Sequence, residues 1–284
     1  MKTDKILIVG LGLIGGSYAK ALTRAGYDVY AIDKSLEPIV YALDMGLIKD
    51  GWNTVNEEIV KSYDFIIFAL YPNTFIKWIK EYKSYLKEGS IITDVTGVKT
   101  SVVYEIEKEL EGLNIDFIPS HPMAGREVCG IRNADDSIFE GANFIITPLK
   151  TNRPKNISEV EELGEILGFK KVSILSPEKH DEMIAYLSQL THAIAITLMN
   201  ENNSHNLKDY TGDSFRDLTR IANINDEMWS ELFLMNKDKL LEQMDSFIKE
   251  FTELENAIRN DDVAKIKEKM KTSSIRRSYF EERK

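Results

Sequence analysis

The feature that most constrains this chain is a glycine-rich stretch near its start, Gly10-Leu11-Gly12-Leu13-Ile14-Gly15-Gly16. An apolar run over residues 6–9 precedes it, and a segment with helical spacing of apolar residues follows it. Strand, tight turn and helix in this order form the setting of a dinucleotide-binding turn. There, Gly10 permits the turn, Gly12 lets the backbone approach a pyrophosphate, and Gly15 lets helix and strand pack.

A second apolar strand, residues 28–32, ends at Asp33, 18 positions after Gly15. This is close to the spacing of about 20 at which an acidic residue binds a ribose hydroxyl. A carboxylate there repels a 2′-phosphate, so NAD is expected as cofactor, although Lys34 and Ser35 could serve NADP. A glycine-rich turn without a ligand is the alternative. The expected cofactor-binding residues are Gly10, Gly12, Leu13, Ile14, Gly15, Asp33, Lys34, Ser35, Leu70 and Thr96.

Strands alternate with helices through the first half of the chain. Further strands are predicted at residues 64–70, 90–94, 116–118, 143–146 and 171–174, and helices near residues 37–45, 73–86 and 100–110. This alternation is typical of a doubly wound parallel sheet of the Rossmann type. The sequence therefore predicts an α/β dinucleotide-binding domain over residues 1–175.

After Pro177 the strand pattern stops, and an all-helical second domain is predicted over residues 176–284. Residues 183–199 are nearly all apolar, which predicts a helix buried on most sides. Farther on, apolar residues recur at a/d spacing: Leu240, Met244, Phe247, Phe251, Leu254 and Ile258. A homodimer through these helices would bury this seam, although a helix pair within one domain would give the same pattern.

Composition excludes several classes of partner. The formal net charge of −10 argues against nucleic acid and anionic membrane surfaces, which would repel the chain, so small molecules are the expected ligands. No uncharged apolar run reaches the ~18 residues of a membrane span. The first residues lead directly into a strand, so no secretory leader is expected. The single cysteine, Cys129, fits a reducing cytoplasm, and no metal site is predicted.

Two polar residues stand where chemistry is expected. His121 directly follows a predicted strand and precedes Pro122, and imidazole is suited to acid or base work near neutral pH. A packed or solvated histidine is the alternative. Arg220 lies among apolar neighbours, and its guanidinium could bind a substrate carboxylate through a planar fork of donors. The alternative for Arg220 is a structural ion pair with Asp217, three residues earlier.

Three motifs carry a resemblance that spans essentially the whole chain. His-Pro-Met-Ala-Gly-Arg-Glu (121–127), Leu-Ser-Gln-Leu-Thr-His-Ala-Ile-Ala (187–195) and Phe-Arg-Asp-Leu-Thr-Arg-Ile-Ala (215–222), with the Gly10 turn, resemble the prephenate dehydrogenase family. The resemblance implies NAD-dependent oxidative decarboxylation of prephenate to 4-hydroxyphenylpyruvate, CO₂ and NADH, a step of tyrosine biosynthesis. Arogenate dehydrogenase, which gives tyrosine directly, is the enzymatic alternative, and a non-catalytic NAD-sensing regulator is the third reading.

The resemblance also assigns roles to residues. It makes His121 the base that takes the proton of the ring hydroxyl, and Arg220 the ligand of a substrate carboxylate. The other substrate-binding residues that it implies are His192, Glu127, Gln189 and Trp229. As alternatives, His192 could form its hydrogen bonds within a buried helix, Glu127 could be a solvated surface residue, and Trp229 could belong to the core.

One departure from the family pattern concerns the partner of His121. Many members carry a serine that hydrogen-bonds the substrate hydroxyl and the histidine, and here that position is Gly97. Thr96 is the nearest hydroxyl and is expected to replace it in the catalytic site. A second departure is Gly212-Asp213-Ser214, where glycines usually precede the Phe-x-Asp segment.

Overall fold

Six strands form a parallel sheet in the order β3-β2-β1-β4-β5-β6, in a computed structural model that describes residue 1 and residues 3–280. The strands are β1 (Lys5–Val9), β2 (Asp28–Ile32), β3 (Asp50–Trp52), β4 (Phe65–Phe68), β5 (Ile91–Asp94) and β6 (Asp116–Phe117). All five neighbouring pairs are parallel. This order is that of a dinucleotide-binding sheet, so the predicted Rossmann-type fold is confirmed.

Helices cover both faces of this sheet. They are α1 (Leu13–Arg24), α2 (Leu36–Asp44), α3 (Glu57–Val60), α4 (Pro72–Tyr82), α5 (Thr100–Glu109) and α6 (Pro154–Ile166). Side chains of a strand alternate between faces, so Ile6 and Ile8 pack in one core with α1, whereas Leu7 and Val9 pack in another with α4. The two cores hold the carboxyl ends of β1, β4 and β5 side by side.

A second sheet of three strands corrects the sequence-based expectation of one sheet. It consists of β7 (Ser120–Pro122), β8 (Asn143–Ile146) and β9 (Lys171–Ile174), with β7 antiparallel to β8 and β8 parallel to β9. The chain leaves the first sheet at Pro119, which has no N–H to continue a ladder. His121 therefore lies within a strand rather than directly after one.

The chain beyond Ile174 is helical in the described residues. Its elements are α7 (Pro177–Ile184), a π-helix (Ala185–Leu190), α8 (Thr191–Glu201), α9 (Asp213–Thr219), α10 (Asp226–Met235), α11 (Lys237–Arg259) and α12 (Val263–Ser278). Short 3₁₀ helices cover Lys83–Tyr85, Ile131–Asn133, Asp136–Phe139, His205–Asp209 and Arg220–Ala222. Among the helices described, none is both long and apolar enough to cross a membrane.

The expectation that residues 183–199 are buried on most sides is wrong for the single chain. Met183, Leu187 and Met199 are each more than one-third exposed, and the π-helix interrupts the predicted helix. The residues are apolar, but one chain does not supply enough surface to cover them.

The chain divides into two compact units, Met1–Asn236 and Lys237–Lys284. The first contains both sheets and the helices up to α10. The second contains α11 and α12, which contact each other, and Lys269 on α12 bridges Glu250 and Glu253 on α11 at 3.0 and 2.9 Å. On α11, Phe251 and Ile258 are 62% and 58% exposed.

Candidate active site

The glycine-rich turn has the geometry that a bound dinucleotide needs. Gly10 has φ +100°, which other residues rarely adopt, and a Cβ on Gly15 would lie 1.9 Å from the carbonyl oxygen of Gly10. A Cβ on Gly12 would meet no atom within 4 Å. Gly12 is also the N-cap of the 12-residue helix α1 and has no side chain that occupies the free N–H groups there. The turn therefore leaves open space at a helix N-terminus, which fits a pyrophosphate.

Asp33 follows β2 and faces this turn. Its carboxylate accepts hydrogen bonds from the backbone N–H of Leu11 at 2.8 Å and of Ser35 at 2.9 Å. These bonds fix the carboxylate beside the turn, where a ribose would be bound. Lys34 and Ser35 are exposed. Leu70, at the end of β4, lies 2.9 Å from the point where a Cβ on Gly10 would stand.

A buried ionic cluster lies at the carboxyl end of β5. Lys99, whose side chain is completely buried, donates from Nζ to Asp94 at 2.6 Å and to Thr96 Oγ1 at 3.1 Å. It also donates to the backbone carbonyl of Ser120, the residue before His121. Oγ1 of Thr96 also contacts Asp94 and the carbonyl of Val98, and its single proton can be donated to one of these two acceptors. Thr96 thus belongs to this cluster, and the structure does not join its hydroxyl to His121 as expected.

The hydrogen-bond partner of His121 is His180, which the sequence analysis missed. Nδ1 of His121 lies 2.8 Å from Nε2 of His180, and Nδ1 of His180 lies 2.8 Å from Oδ1 of Asp181. His180 and Asp181 lie on α7 and are almost completely buried. Burial, the neighbouring His180 and the charge of Lys99 hold the pKa of His121 well below its usual value of 6.5. The adjacent His-Asp pair is visible in the sequence, but nothing in the sequence links it to His121.

The space beside His121 is bounded by Gly97 and Leu232. A Cβ on Gly97 would lie 3.4 Å from Leu232 and 3.8 Å from Nε2 of His121. Both distances are ordinary contacts, so a small side chain would fit here. Within the described chain, no group forms a hydrogen bond with Nε2 of His121. This nitrogen is therefore the one that remains for a substrate.

Four of the predicted substrate-binding residues form two contacting pairs. The rings of His192 and Trp229 are stacked at 3.7 Å, and Nδ1 of His192 donates to the carbonyl of Ser188 at 2.8 Å. Arg220 forms an ion pair with Glu127 and not with Asp217, the partner in the structural alternative for this arginine. Burial lowers the pKa of His192. The two pairs lie near each other, because α8, which carries His192, contacts the 3₁₀ helix that begins at Arg220.

Gln189 is buried and hydrogen-bonded to protein groups. It is 1% exposed, its Nε2 donates to the carbonyl of Leu232 at 2.8 Å, and its Oε1 accepts from Asn236 at 2.8 Å. Asn236 also donates to the backbone carbonyl of Asp181 at 2.9 Å. Both ends of the Gln189 amide bind protein groups, and the expected contact of Gln189 with substrate stays a prediction. Its contacts join the π-helix to α10.

Comparison with known proteins agrees with this site. The sequence profile of the prephenate dehydrogenase nucleotide-binding domain matches residues 18–189, and that of the prephenate dehydrogenase dimerization domain matches residues 176–272. Prephenate dehydrogenase of Bacillus subtilis is 32% identical over 280 residues, which cover 95% of this chain and 74% of that protein. Cyclohexadienyl dehydrogenase of Zymomonas mobilis is 30% identical over 267 residues, which cover 90% of this chain and 89% of that protein.

A solved structure shows the same architecture. The crystal structure of prephenate dehydrogenase from Aquifex aeolicus, in complex with hydroxyphenyl propionate and NAD⁺, superposes with a TM-score of 0.89 at 32% identity. The match covers 99% of each chain. Fold, glycine-rich turn and sequence profiles lead to the same conclusion: the chain belongs to the prephenate dehydrogenase family.

Proposed function

We propose that this chain oxidatively decarboxylates prephenate with NAD, giving 4-hydroxyphenylpyruvate, CO₂ and NADH in tyrosine biosynthesis. The observation that carries the proposal is the placement of His121. Its free Nε2 lies beside Gly97, after β5, and the Gly10 turn follows β1, two strands away in the same parallel sheet. Neighbouring strands are about 4.8 Å apart, so a base and a bound nicotinamide can reach one substrate carbon from these two strand ends.

The residues present fit the reaction. NAD, when bound, accepts a hydride from the ring carbon that carries the hydroxyl. Nε2 of His121 takes the hydroxyl proton, so that the carbon–oxygen double bond forms. The bond to the ring carboxylate then breaks, CO₂ leaves, and its electron pair makes the ring aromatic. His121 returns the proton to the phenol oxygen, so the base is restored within one turnover.

Arg220 supports a substrate that carries carboxylates. The substrate has two carboxylates. The side chain of Arg220 is 63% exposed, and its guanidinium is bound to Glu127. A substrate carboxylate offers the same bidentate acceptor as Glu127 and can take its place. His192 and Trp229 would line the ring of the substrate. Arogenate carries the same ring and an amino group in place of the keto oxygen, so it remains the alternative substrate.

The decisive experiment is an assay of NADH formation by its near-ultraviolet absorbance, with prephenate or arogenate and with NAD or NADP. We expect turnover with prephenate and NAD, at a higher kcat/KM than with any other combination. A higher kcat/KM for arogenate would show that arogenate, and not prephenate, is the preferred substrate. Binding of NAD without turnover of either compound would instead support a nucleotide-sensing regulator.

The proposal also includes a homodimeric assembly, a domain boundary after residue 175 and a cytoplasmic location. A homodimer through the C-terminal helices is supported by the dimerization profile and by the exposed Phe251 and Ile258. The boundary between residues 175 and 176 is supported by the start of that profile at residue 176. A reducing cytoplasm is supported by the single cysteine, Cys129, which is exposed and free.

A further inference from the structure

His121 is the first of three buried or half-buried side chains in a hydrogen-bonded row. Its Nδ1 contacts Nε2 of His180 at 2.8 Å, and the two rings meet at 63° with centroids 5.1 Å apart. Nδ1 of His180 contacts Oδ1 of Asp181 at 2.8 Å. The row therefore joins the second sheet, which carries His121, to the start of the helical region.

Asp181 is held as an ionised acceptor. Its Oδ1 also accepts the backbone N–H of Lys99 at 2.8 Å, and its Oδ2 accepts that of Thr100 at 2.7 Å, both at the N-terminus of α5. Burial alone would raise the pKa of Asp181, but the hydrogen bonds from His180 and Thr100 outweigh it and lower the pKa. An ionised carboxylate can only accept, so the Nδ1 of His180 must carry a proton.

The proton of His180 determines that of His121. A neutral imidazole has one N–H, and His180 uses its N–H toward Asp181. Nε2 of His180 is then an acceptor, and only an N–H on Nδ1 of His121 can complete the 2.8 Å contact. His121 consequently has no proton on Nε2, the nitrogen beside Gly97.

The charges around the row favour neutral rings. Burial lowers the pKa of both histidines, and the charge of Lys99 lowers it further. The negative charges of Asp94 and Asp181 raise the pKa of His180, but by less than burial lowers it. The net effect leaves both rings neutral near pH 7, which the proton assignment requires.

We propose that His180 and Asp181 are positioning residues that fix His121 in the tautomer with a bare Nε2, ready to take the substrate's hydroxyl proton. This inference rests on the proposed function, in which His121 is the base. The row acts on Nδ1 of His121, whereas Gly97, the position at which many family members carry a serine, faces Nε2. When His121 becomes charged, its Nδ1–H stays bound to His180. The negatively charged Asp181 is the next member of the row, beyond His180.

The tautomer can be read directly by ¹⁵N NMR of the histidine rings, in the unmodified protein near pH 7 and without substrate. The chain has four histidines, so the spectrum is simple, and single variants assign it. We expect a proton on Nδ1 and none on Nε2 of His121. A proton on Nε2 of His121 would overturn the proposal without any activity measurement.

Kinetics of matched variants test the consequence. His180→Phe keeps a ring but offers no acceptor, so Nε2 of His121 should become protonated and kcat should fall at least ~10²-fold with little change in KM. His180→Gln retains an acceptor oxygen and should recover part of kcat. His205→Phe is the control, because His205 lies exposed in a 3₁₀ helix and is not a member of the row.

The outcomes separate the two proposals. If the unmodified protein turns over neither substrate, the proposed function fails, while the NMR spectrum still decides the tautomer. If it turns over prephenate and a folded His180→Phe protein keeps its kcat, the positioning role fails and the proposed function stands. Unchanged melting temperatures distinguish loss of positioning from loss of folding.

Discussion

Gly97 decides how much room lies beside the nitrogen of His121 that faces substrate. Since a Cβ there would make only ordinary contacts, Gly97→Ser should fold with a melting temperature close to that of the unmodified protein. We expect its kcat/KM for prephenate to be equal or higher, because the hydroxyl can reach Nε2 or the substrate. Gly97→Val is the matched control: its extra methyl groups should block this space and lower kcat/KM at least ~10-fold. A large loss in the serine variant would contradict the assigned position of the substrate.

The low pKa of His121 has a consequence for the pH profile. A base must be neutral, and His121 becomes protonated only when the pH falls well below 6.5. The acidic limb of kcat/KM should therefore lie below the usual histidine range, and activity should stay level from pH 8 to about pH 6. His121→Asn should lower kcat by ~10²–10⁴ and abolish this limb while NAD affinity is unchanged. An unaltered profile in the variant would move the base elsewhere, with His192 as the next candidate.

Arg220 should contribute to substrate affinity rather than to NAD affinity. Arg220→Ala should raise KM for prephenate by at least ~10-fold, somewhat less than for a buried pair because its side chain is exposed to screening solvent. Arg220→Lys should recover little, since an ammonium lacks the planar fork. Glu127→Gln is the comparison: it frees the guanidinium, so KM should fall or stay within about twofold. An unchanged KM in a stable Arg220→Ala protein would show that another group holds the carboxylate.

Single residues were predictable when their role depends on local geometry. The conformations of Gly10 and Gly15 and the position of Asp33 beside the turn follow from their spacing along one strand–turn–helix unit. His180 could not be linked to His121 because 59 residues separate them, and their contact depends on how β7 meets α7. The contacts of Gln189 could not be predicted because its motif does not show which face of the π-helix is buried.

At the scale of elements, the β1–α1–β2 unit determines which nucleotide is preferred. Asp33→Asn removes the charge that repels a 2′-phosphate, while the side chain can still accept a backbone hydrogen bond. The ratio of kcat/KM for NAD to kcat/KM for NADP should therefore fall about tenfold, which corresponds to roughly 1.4 kcal/mol. Asp44→Asn, an exposed carboxylate at the other end of α2, serves as control. The measurement is kcat/KM for both nucleotides. Equal use of NAD and NADP by the unmodified protein would contradict the assignment.

The sequence predicted the apolar strands and missed β3, a strand with a polar composition. β1, β4 and β5 are apolar runs at the centre of the sheet, where burial on both faces leaves a clear pattern. β3 was missed because Asp50-Gly51-Trp52 is short and carries residues that are rare in strands. β8 and β9 were found as strands, but their sheet could not be assigned, because strand pairing is a non-local property.

At the scale of the whole molecule, the exposed apolar side chains of α11 support the proposed homodimer. Light scattering should give twice the mass of a single chain. Phe251→Glu with Ile258→Glu should shift the protein toward the monomer, because charges would have to be buried at the interface. Lys249→Glu, an exposed polar position of the same helix, should leave the dimer intact. A monomeric unmodified protein would contradict the proposed dimer.

The π-helix between α7 and α8 gives the chain between His180 and His192 a tolerance to a change in length. A π-turn holds one residue more than an α-turn, so it takes up that residue without turning the helix that follows. The deletion of one residue from Ala185–Leu190 would therefore join α7 and α8 in one α-helix and leave His192 near its present angle. In an uninterrupted α-helix the same deletion would rotate all that follows by about 100°. The π-helix is thus the point at which the chain can lose one residue without moving the ring of His192 away from Trp229.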